Sequence, residues 1–136
     1  MAFPRQLHGL MRALAFLTRV PMPDEAFEGG LRQTAEDAAL FPLAGLVAAV
    51  PGALVLLITV WMDGGPLLAA ALAIVATIVI TGALHEDGFA DVADGFGGGH
   101  TSERRLAIMK DSANGTYGTL ALVVSVVLRF AALAAL

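Results

Sequence analysis

Two long stretches without a charged residue constrain this fold more than any other feature. Residues 38–62 and residues 64–84 contain no Asp, Glu, Lys, Arg or His, and only Asp63 separates them. Each exceeds the roughly 18–20 helical residues that cross about 30 Å of hydrocarbon. Residues 63–66 (Asp-Gly-Gly-Pro) have the composition of a tight turn. The two stretches therefore predict a transmembrane helical hairpin, with a kink near Pro51.

The composition also points to a membrane protein. Hydrophobic residues make up 57% and charged residues 15% of the 136 positions, against about 45–50% and about 25% in soluble domains. A chain of this size cannot hide so much apolar surface in its own core, because small domains have the most surface per volume. The absence of cysteine excludes disulfides, thiolate metal sites and thiol nucleophiles. The net charge of −4 argues against nucleic-acid binding.

A third apolar run follows Ser112 and continues to the last residue. Arg129 lies in its far half, and an arginine at the centre of a membrane helix costs roughly 2.5–3.5 kcal/mol. Two interpretations remain open: Arg129 snorkels to the interface, or it faces a polar cavity. Because the run ends in apolar residues without a polar tail, we expect the sequence to be truncated.

The N-terminal segment has the pattern of a helix that lies in the membrane interface. Arg5, Arg12 and Arg19 recur every seven residues, which keeps them in one stripe. We predict an interfacial amphipathic helix over residues 1–20, with its arginines towards the headgroups. A cleaved signal peptide fits poorly, because Arg12 interrupts the apolar core. The polar residues 21–37 are expected to form a loop.

The basic residues predict the orientation in the membrane. Four arginines, including Arg32, precede the hairpin, three basic residues follow it, and its turn contains none. Both ends of a hairpin lie on one side, and the positive-inside rule makes that side cytoplasmic. We expect an all-α, multi-pass membrane protein that forms a single domain over residues 1–136. Its expected parts are the interfacial helix, about three transmembrane helices at 38–62, 66–85 and 118–136, and a cytoplasmic active-site segment at 86–117.

An acidic segment follows the second predicted span. Asp87, Asp91 and Asp94 are spaced so that a helix would place them within roughly 60° of one face. Such stacked like charges repel one another, and a bound divalent cation would remove the repulsion. Oxygen ligands without cysteine favour Mg²⁺, so we predict a magnesium site at Asp87, Asp91 and Asp94, supported by Glu86. The alternative is that the two Asp-Gly pairs form turns in a solvated loop.

Basic, glycine and aromatic residues beyond the acids indicate a phosphate site. Residues 95–99 predict a mobile glycine linker, and residues 102–109 predict a short basic helix whose guanidinium groups suit phosphate oxygens. The same basic residues also fit a membrane anchor. Residues 114–118 could be a turn or a helix N-terminus that holds an anion. The candidate substrate-binding residues are Arg104, Arg105, Lys110, Gly115 and Tyr117.

Bound Mg²⁺ facing basic residues at a membrane surface indicates transfer between phosphorylated species. CDP-alcohol phosphotransferases match poorly. Their pattern is Asp-x-x-Asp-Gly-x-x-Ala-Arg, whereas this chain has Asp-x-x-x-Asp-x-x-Asp and no Ala-Arg after it.

Four other blocks occur in order along the chain. They are residues 16–21 (Phe-Leu-Thr-Arg-Val-Pro), 41–45 (Phe-Pro-Leu-Ala-Gly), 85–95 (His-Glu-Asp-Gly-Phe-Ala-Asp-Val-Ala-Asp-Gly), and 109–112 (Met-Lys-Asp-Ser) leading into Gly-Thr-Tyr-Gly. In these blocks the chain resembles the cobalamin synthase family, the adenosylcobinamide-GDP ribazoletransferases. The resemblance covers nearly the whole chain. Family members run to roughly twice this length, so we expect the C-terminal transmembrane half to be absent.

The resemblance implies a Mg²⁺-dependent transferase of cobalamin biosynthesis in the bacterial inner membrane. Adenosylcobinamide-GDP and α-ribazole, or its 5′-phosphate, would give adenosylcobalamin, or its 5′-phosphate, and GMP. Asp91 or Asp111 would orient the attacking hydroxyl, and His85 could move a proton. The partners are these substrates and the lipid bilayer, with no nucleic acid, and a homo-oligomer stays open. The alternatives are an inactive fragment, an assembly or binding subunit, and a small transporter that uses the acids as an ion path.

Overall fold

A computed structural model describes residues 5–27 and 37–136, and over these residues the chain is helical with no strand. This confirms the predicted all-α class. Arg32 and the middle of the predicted loop at 21–37 lie outside the described residues. The helices are α1 (Arg5–Leu17), α2 (Phe41–Trp61), α3 (Gly65–Thr81), α4 (Leu84–Gly98), α5 (Ser102–Met109) and α6 (Thr116–Ala134), with 3₁₀ turns at Asp24–Phe27 and Asp37–Leu40.

Two of the described helical segments are long and apolar enough to cross a membrane, namely Asp37–Trp61, which includes α2, and α6. The α3 helix has 17 residues and meets that criterion only together with α4, from which an 87° bend separates it. Large apolar side chains cover the outside: Leu46 is 70% and Leu128 63% exposed. Such surfaces suit contact with lipid. The described residues thus supply two candidate spans, or three if the bent pair counts as one.

Small residues hold the predicted hairpin together. The α2 helix buries Ala44, Ala48 and Gly52, and α3 buries a row of alanines that includes Ala73. A Cβ on Gly52 would overlap the hydroxyl of Thr77. Close backbone approach between small residues is the usual way in which membrane helices associate. The hairpin is therefore a tightly packed pair.

The second helix of the hairpin ends earlier than its composition predicts. Gly82 and Ala83 both have left-handed backbone angles, with φ of 62° and 61°. Their amides donate hydrogen bonds to Val79 and Ile78 carbonyls at 3.2 and 3.0 Å, which satisfies groups that a helix end leaves unpaired. The apolar run to residue 85 therefore divides at Gly82–Ala83, and the acidic segment starts as a separate helix.

The N-terminal helix is tied to the hairpin by an ion pair. Arg12 Nε donates to Asp37 Oδ2 at 2.6 Å and Arg12 Nη2 to Asp37 Oδ1 at 3.0 Å. Arg12 Nη1 also donates to the Ala26 carbonyl at 2.7 Å. Both side chains of the pair are 9% exposed. The prediction that the arginine stripe faces headgroups is therefore wrong for Arg12, because a bidentate carboxylate partner draws it inwards.

We predict that Arg12→Gln destabilises the protein by about 3–5 kcal/mol, because it leaves the Asp37 carboxylate buried without its counter-charge. Arg19→Gln removes the next arginine of the same stripe. Arg19 is exposed and has no ion pair among the described residues, so we expect a change within about 0.5 kcal/mol. Chemical denaturation in detergent micelles, followed by circular dichroism, measures both variants. Equal changes in the free energy of unfolding for the two variants would contradict a stabilising ion pair between Arg12 and Asp37.

Candidate functional site

The acidic residues lie on one regular helix. The α4 helix runs without interruption from Leu84 to Gly98, so Asp87, Asp91 and Asp94 form one stripe about 10 Å long at 1.5 Å rise per residue. This confirms the helical spacing expected from the sequence and excludes the solvated loop. The predicted mobile glycine linker is wrong for residues 95–98, which belong to the helix.

Asp94 caps the start of α6. Its Oδ2 accepts a hydrogen bond from the Gly115 amide at 2.7 Å, and its Oδ1 accepts one from the Gly118 amide at 2.8 Å. The side chain is buried, with 8% of the residue exposed. A carboxylate at a helix N-terminus satisfies unpaired amides and complements the helix dipole. The anion at this N-terminus is therefore Asp94 itself, and the Gly115 amide proton is not available to substrate.

Glycines on both helices allow this close contact. A Cβ on Gly115 or Gly118 would overlap the Asp94 carboxylate, and one on Gly97 would overlap the ring of Tyr117. The glycine-rich composition of this region therefore serves packing between α4 and α6.

Glu86 faces away from the acidic stripe and binds Arg129. Arg129 Nη1 donates to Glu86 Oε1 at 2.9 Å. The other carboxylate oxygen and Arg129 Nε are buried without a hydrogen-bond partner among the described residues. Both residues line a cavity of about 300 Å³ with His85. Arg129 thus faces a cavity, as one of the two interpretations predicted, but most of the cavity lining is apolar and the charge of Arg129 is met by Glu86. The structure commits Glu86 to this ion pair.

The basic helix α5 packs beside α4. The Thr101 hydroxyl accepts a hydrogen bond from the Arg104 amide at 3.2 Å and caps the helix. Arg105 Nε donates to the Gly99 carbonyl at 2.9 Å, and its guanidinium carbon lies 4.6 Å from the centre of the Phe96 ring. Arg105 thus holds α5 against α4, whereas Arg104 and Lys110 are exposed.

One cavity gathers five of the predicted site residues. We call it the Tyr117 cavity; its volume is about 290 Å³, and its lining includes Asp94, Arg104, Asp111, Gly115 and Tyr117. Asp111 Oδ1 accepts a hydrogen bond from the Ala113 amide at 3.1 Å. Its Oδ2 has no hydrogen-bond partner in the described part of the chain.

A second polar cavity lies at the other end of the acidic stripe. We call it the Arg19 cavity; it measures about 440 Å³. It is lined by Asp87, by Phe16 in the last turn of α1, by Thr18 and Arg19 just after that helix, and by residues 81–84 at the bend. The seven-residue spacing of the arginines predicts only an interfacial position for Arg19. The signal that could have found it is the block at 16–21, which continues past the end of α1.

The predicted magnesium ligands are only partly brought together. Glu86 and Asp94 already have partners, and the described residues contain no group of three or more His, Cys, Asp or Glu that could hold a metal. Asp87 and Asp91 lie one turn apart on α4, and neither carboxylate has a hydrogen-bond or ion-pair partner within the described ranges. His85 lines a different cavity from Asp87 and from Asp111.

We predict that Asp94→Asn destabilises the protein by about 1–3 kcal/mol, because the amide offers one acceptor where two amide protons need partners. Asp91→Asn makes the same change one turn earlier. In magnesium-free buffer we expect it to be neutral or slightly stabilising, since it relieves repulsion between like charges. Thermal unfolding in detergent gives the stabilities, and hydrogen exchange at Gly115 and Gly118 should accelerate only in Asp94→Asn. Unchanged, slow exchange of these two amides in Asp94→Asn would contradict the role of Asp94 as the cap of α6.

Comparison with known proteins identifies relatives over nearly the whole chain. A protein of Rhizobium johnstonii named adenosylcobinamide-GDP ribazoletransferase is 49% identical over 123 residues, which are 90% of this chain and 47% of that protein. Proteins with the same name from Sinorhizobium medicae and Bradyrhizobium diazoefficiens are 47% and 48% identical, each over 91% of this chain and 47% of their own length. The chain thus spans about half the length of these relatives. No solved structure is detectably similar to it.

The family model described as cobalamin-5-phosphate synthase matches residues 9–136. This range includes both polar cavities and all of α4, α5 and α6. The chain therefore belongs to the cobalamin-5-phosphate synthase family.

Proposed function

We propose that this chain carries the catalytic segment of an adenosylcobinamide-GDP ribazoletransferase. It would join adenosylcobinamide-GDP and α-ribazole, or α-ribazole 5′-phosphate, to give adenosylcobalamin, or its 5′-phosphate, and GMP. The observation that supports this most is an acidic helix with a polar cavity at each end, in a chain whose relatives bear that enzyme name. Two cavities suit a reaction with two substrates.

Asp87 and Asp91 are the residues that would hold Mg²⁺. Their carboxylates are one turn apart and have no partner in the described parts of the chain, while Glu86 and Asp94 are engaged elsewhere. Mg²⁺ commonly takes only one or two carboxylates, keeps several waters and binds substrate phosphate, so this pair fits it. When bound, the ion would neutralise charge on the diphosphate. Asp94 has a positioning role in this proposal, because it fixes α6 against the acidic helix.

Arg104 and Lys110 supply positive charge to substrate phosphates at the Tyr117 cavity. Arg104 lines this cavity, and its exposed guanidinium can form two parallel hydrogen bonds with phosphate oxygens. Lys110 is exposed at the end of α5 and contributes charge at longer range. Arg105 acts indirectly, since its Nε is committed to Gly99.

Asp111 is the best-placed residue to orient the attacking hydroxyl. It shares the Tyr117 cavity with Arg104, and its Oδ2 can accept the hydroxyl proton while its Oδ1 is held by Ala113. The oxygen of a free ribose hydroxyl of α-ribazole would bond to the phosphorus nearer the cobinamide. The 5′-oxygen does not serve, because it already carries the phosphate in α-ribazole 5′-phosphate and in the product formed from it. The bond from that phosphorus to the bridging oxygen would break, and GMP would leave. Positioning and charge stabilisation account for most of the catalysis in such transfers.

The proposed location is the bacterial inner membrane, with α4 and α5 on the cytoplasmic side. Basic residues flank the hairpin at both ends, and its turn at Asp63 has none, which supports this orientation. The exposed apolar helices support insertion in the bilayer.

We expect the purified chain in detergent to release GMP from adenosylcobinamide-GDP and α-ribazole only when Mg²⁺ is present. Asp87→Asn and Asp91→Asn should each lower the rate by about 100-fold or more, because each weakens a centre of charge stabilisation. Chromatographic quantification of GMP against magnesium concentration measures the effect. Glu103→Gln, on the exposed side of α5, is the matched control and should retain the wild-type rate.

Two results would count against this proposal. Release of GMP by the double variant Asp87→Asn with Asp91→Asn at the wild-type rate would remove the metal assignment. Binding of adenosylcobinamide-GDP without any GMP release would favour the alternative of a binding or assembly subunit.

The cysteine-free chain also allows a direct test of orientation. In intact cells, Asp63→Cys in the hairpin turn should react with a membrane-impermeant maleimide applied from outside. Ser102→Cys, at the start of α5, should react only after the inner membrane is permeabilised. Both positions are exposed, so access rather than burial decides the result. The reverse pattern would place the acidic helix on the periplasmic side.

A further inference from the structure

We propose that the Arg19 cavity binds the guanosine diphosphate end of the substrate, with Arg19 on the phosphates and Phe16 against the base. This inference rests on the proposed function and assigns one of its two cavities. Phe16 and Arg19 come from the end of α1 and the segment that follows it, and Asp87 comes from α4.

Arg19 is held in place while its charge stays unpaired. Its amide donates to the Ile80 carbonyl at 2.8 Å, which ties this segment to the end of α3. The stem of the side chain crosses Gly82, where a Cβ would overlap Arg19 Nε. The guanidinium nonetheless has no ion-pair partner among the described residues. A positioned, unpaired guanidinium is well suited to phosphate oxygens.

Phe16 supplies an aromatic surface at the same cavity. Its ring stacks on Phe41 with the centroids 5.6 Å apart and the planes at 19°, yet the residue remains 56% exposed. The contact with Phe41 fixes the orientation of the ring, and the exposed part lines the cavity. Aromatic rings of this kind bind nucleobases by stacking. An arginine and an exposed phenylalanine on one cavity therefore suit a nucleotide.

Asp87 makes nucleotide binding at the Arg19 cavity depend on a divalent cation. It lines the Arg19 cavity but forms no ion pair with Arg19. Without a cation, its carboxylate would repel a diphosphate. With Mg²⁺ on Asp87 and Asp91, the same wall would attract it. We therefore expect GDP to bind tightly only in the presence of magnesium.

This assignment divides the two cavities between the two substrates. The volume of about 440 Å³ lies within the range of roughly 300–1,000 Å³ that ligand sites occupy. The Tyr117 cavity, with Arg104 and Asp111, is then left for α-ribazole or its 5′-phosphate. The acidic stripe, about 10 Å long, lies between the two.

Cysteine protection locates the nucleotide directly. Leu84→Cys places a thiol in the lining of the Arg19 cavity, and Ala107→Cys places one in the Tyr117 cavity. The probe is GDP, with magnesium or with EDTA. We expect GDP at about ten times its Kd to slow maleimide labelling of Leu84→Cys by about tenfold, in proportion to occupancy. Labelling of Ala107→Cys should be unchanged, and EDTA should abolish the protection.

Equilibrium dialysis with labelled GDP tests the two contacts. Arg19→Gln should weaken binding by about 10- to 100-fold, and Arg19→Lys should weaken it less because it keeps the charge. Phe16→Leu should weaken binding by about 5- to 100-fold. Phe89→Leu, at an exposed phenylalanine of α4, is the matched control and should bind as the wild type does.

The outcomes separate this inference from the proposed function. Protection of Ala107→Cys with none at Leu84→Cys, or wild-type GDP affinity in Arg19→Gln, would overturn the assignment while guanine nucleotide binding stands. No GDP binding by the wild-type chain at saturating magnesium would overturn the inference and the proposed substrate together.

Discussion

The two hydrogen bonds that the Asp94 carboxylate accepts at the start of α6 fix how α4 and α6 pack together. They join two helices that are 17 residues apart in the chain, and they do so with both carboxylate oxygens in a buried place. These hydrogen bonds fix the rotation of α4 about its own axis, because Asp94 must face the start of α6. Asp87 and Asp91 lie on the same stripe without a partner among the described residues, and Asp87 lines the Arg19 cavity. Asp94 thus has a structural role, whereas Asp87 and Asp91 are the acids left for the metal site proposed above.

The hairpin and the helical acidic stripe could be predicted from sequence because each depends on local periodicity and length. Residues 38–62 have no charge, so little other than a membrane helix suits them. The spacing of Asp87, Asp91 and Asp94 is a property of one helix and needs no knowledge of its neighbours. These are the features on which sequence and structure agree.

The partners of the acidic residues could not be predicted from local periodicity. Periodicity assigns Asp91 and Asp94 to one face but does not say which of them meets another helix, since the choice depends on Gly115 and Gly118 some twenty residues later. The seven-residue spacing likewise makes Arg12 and Arg19 equivalent members of one stripe. The two arginines differ because Asp37 gives Arg12 a buried partner. Arg19 instead lies beside the bend between α3 and α4. The glycines at 95–98 show the reverse case: their composition predicts mobility, whereas close packing between α4 and its neighbours requires the absence of a Cβ.

The left-handed break at Gly82–Ala83 has a consequence for the surroundings in which this protein works. The α3 helix has 17 residues and is therefore about 26 Å long, somewhat less than the hydrocarbon thickness of about 30 Å. If the hairpin turn lies at one face of the bilayer, as proposed, the break lies near the opposite edge of the acyl chains, and α4 extends from there at 87°. The length of α3 then sets the depth of α4 in the bilayer. Longer-chain lipids would place α4 closer to the hydrocarbon, and shorter-chain lipids would place it closer to water.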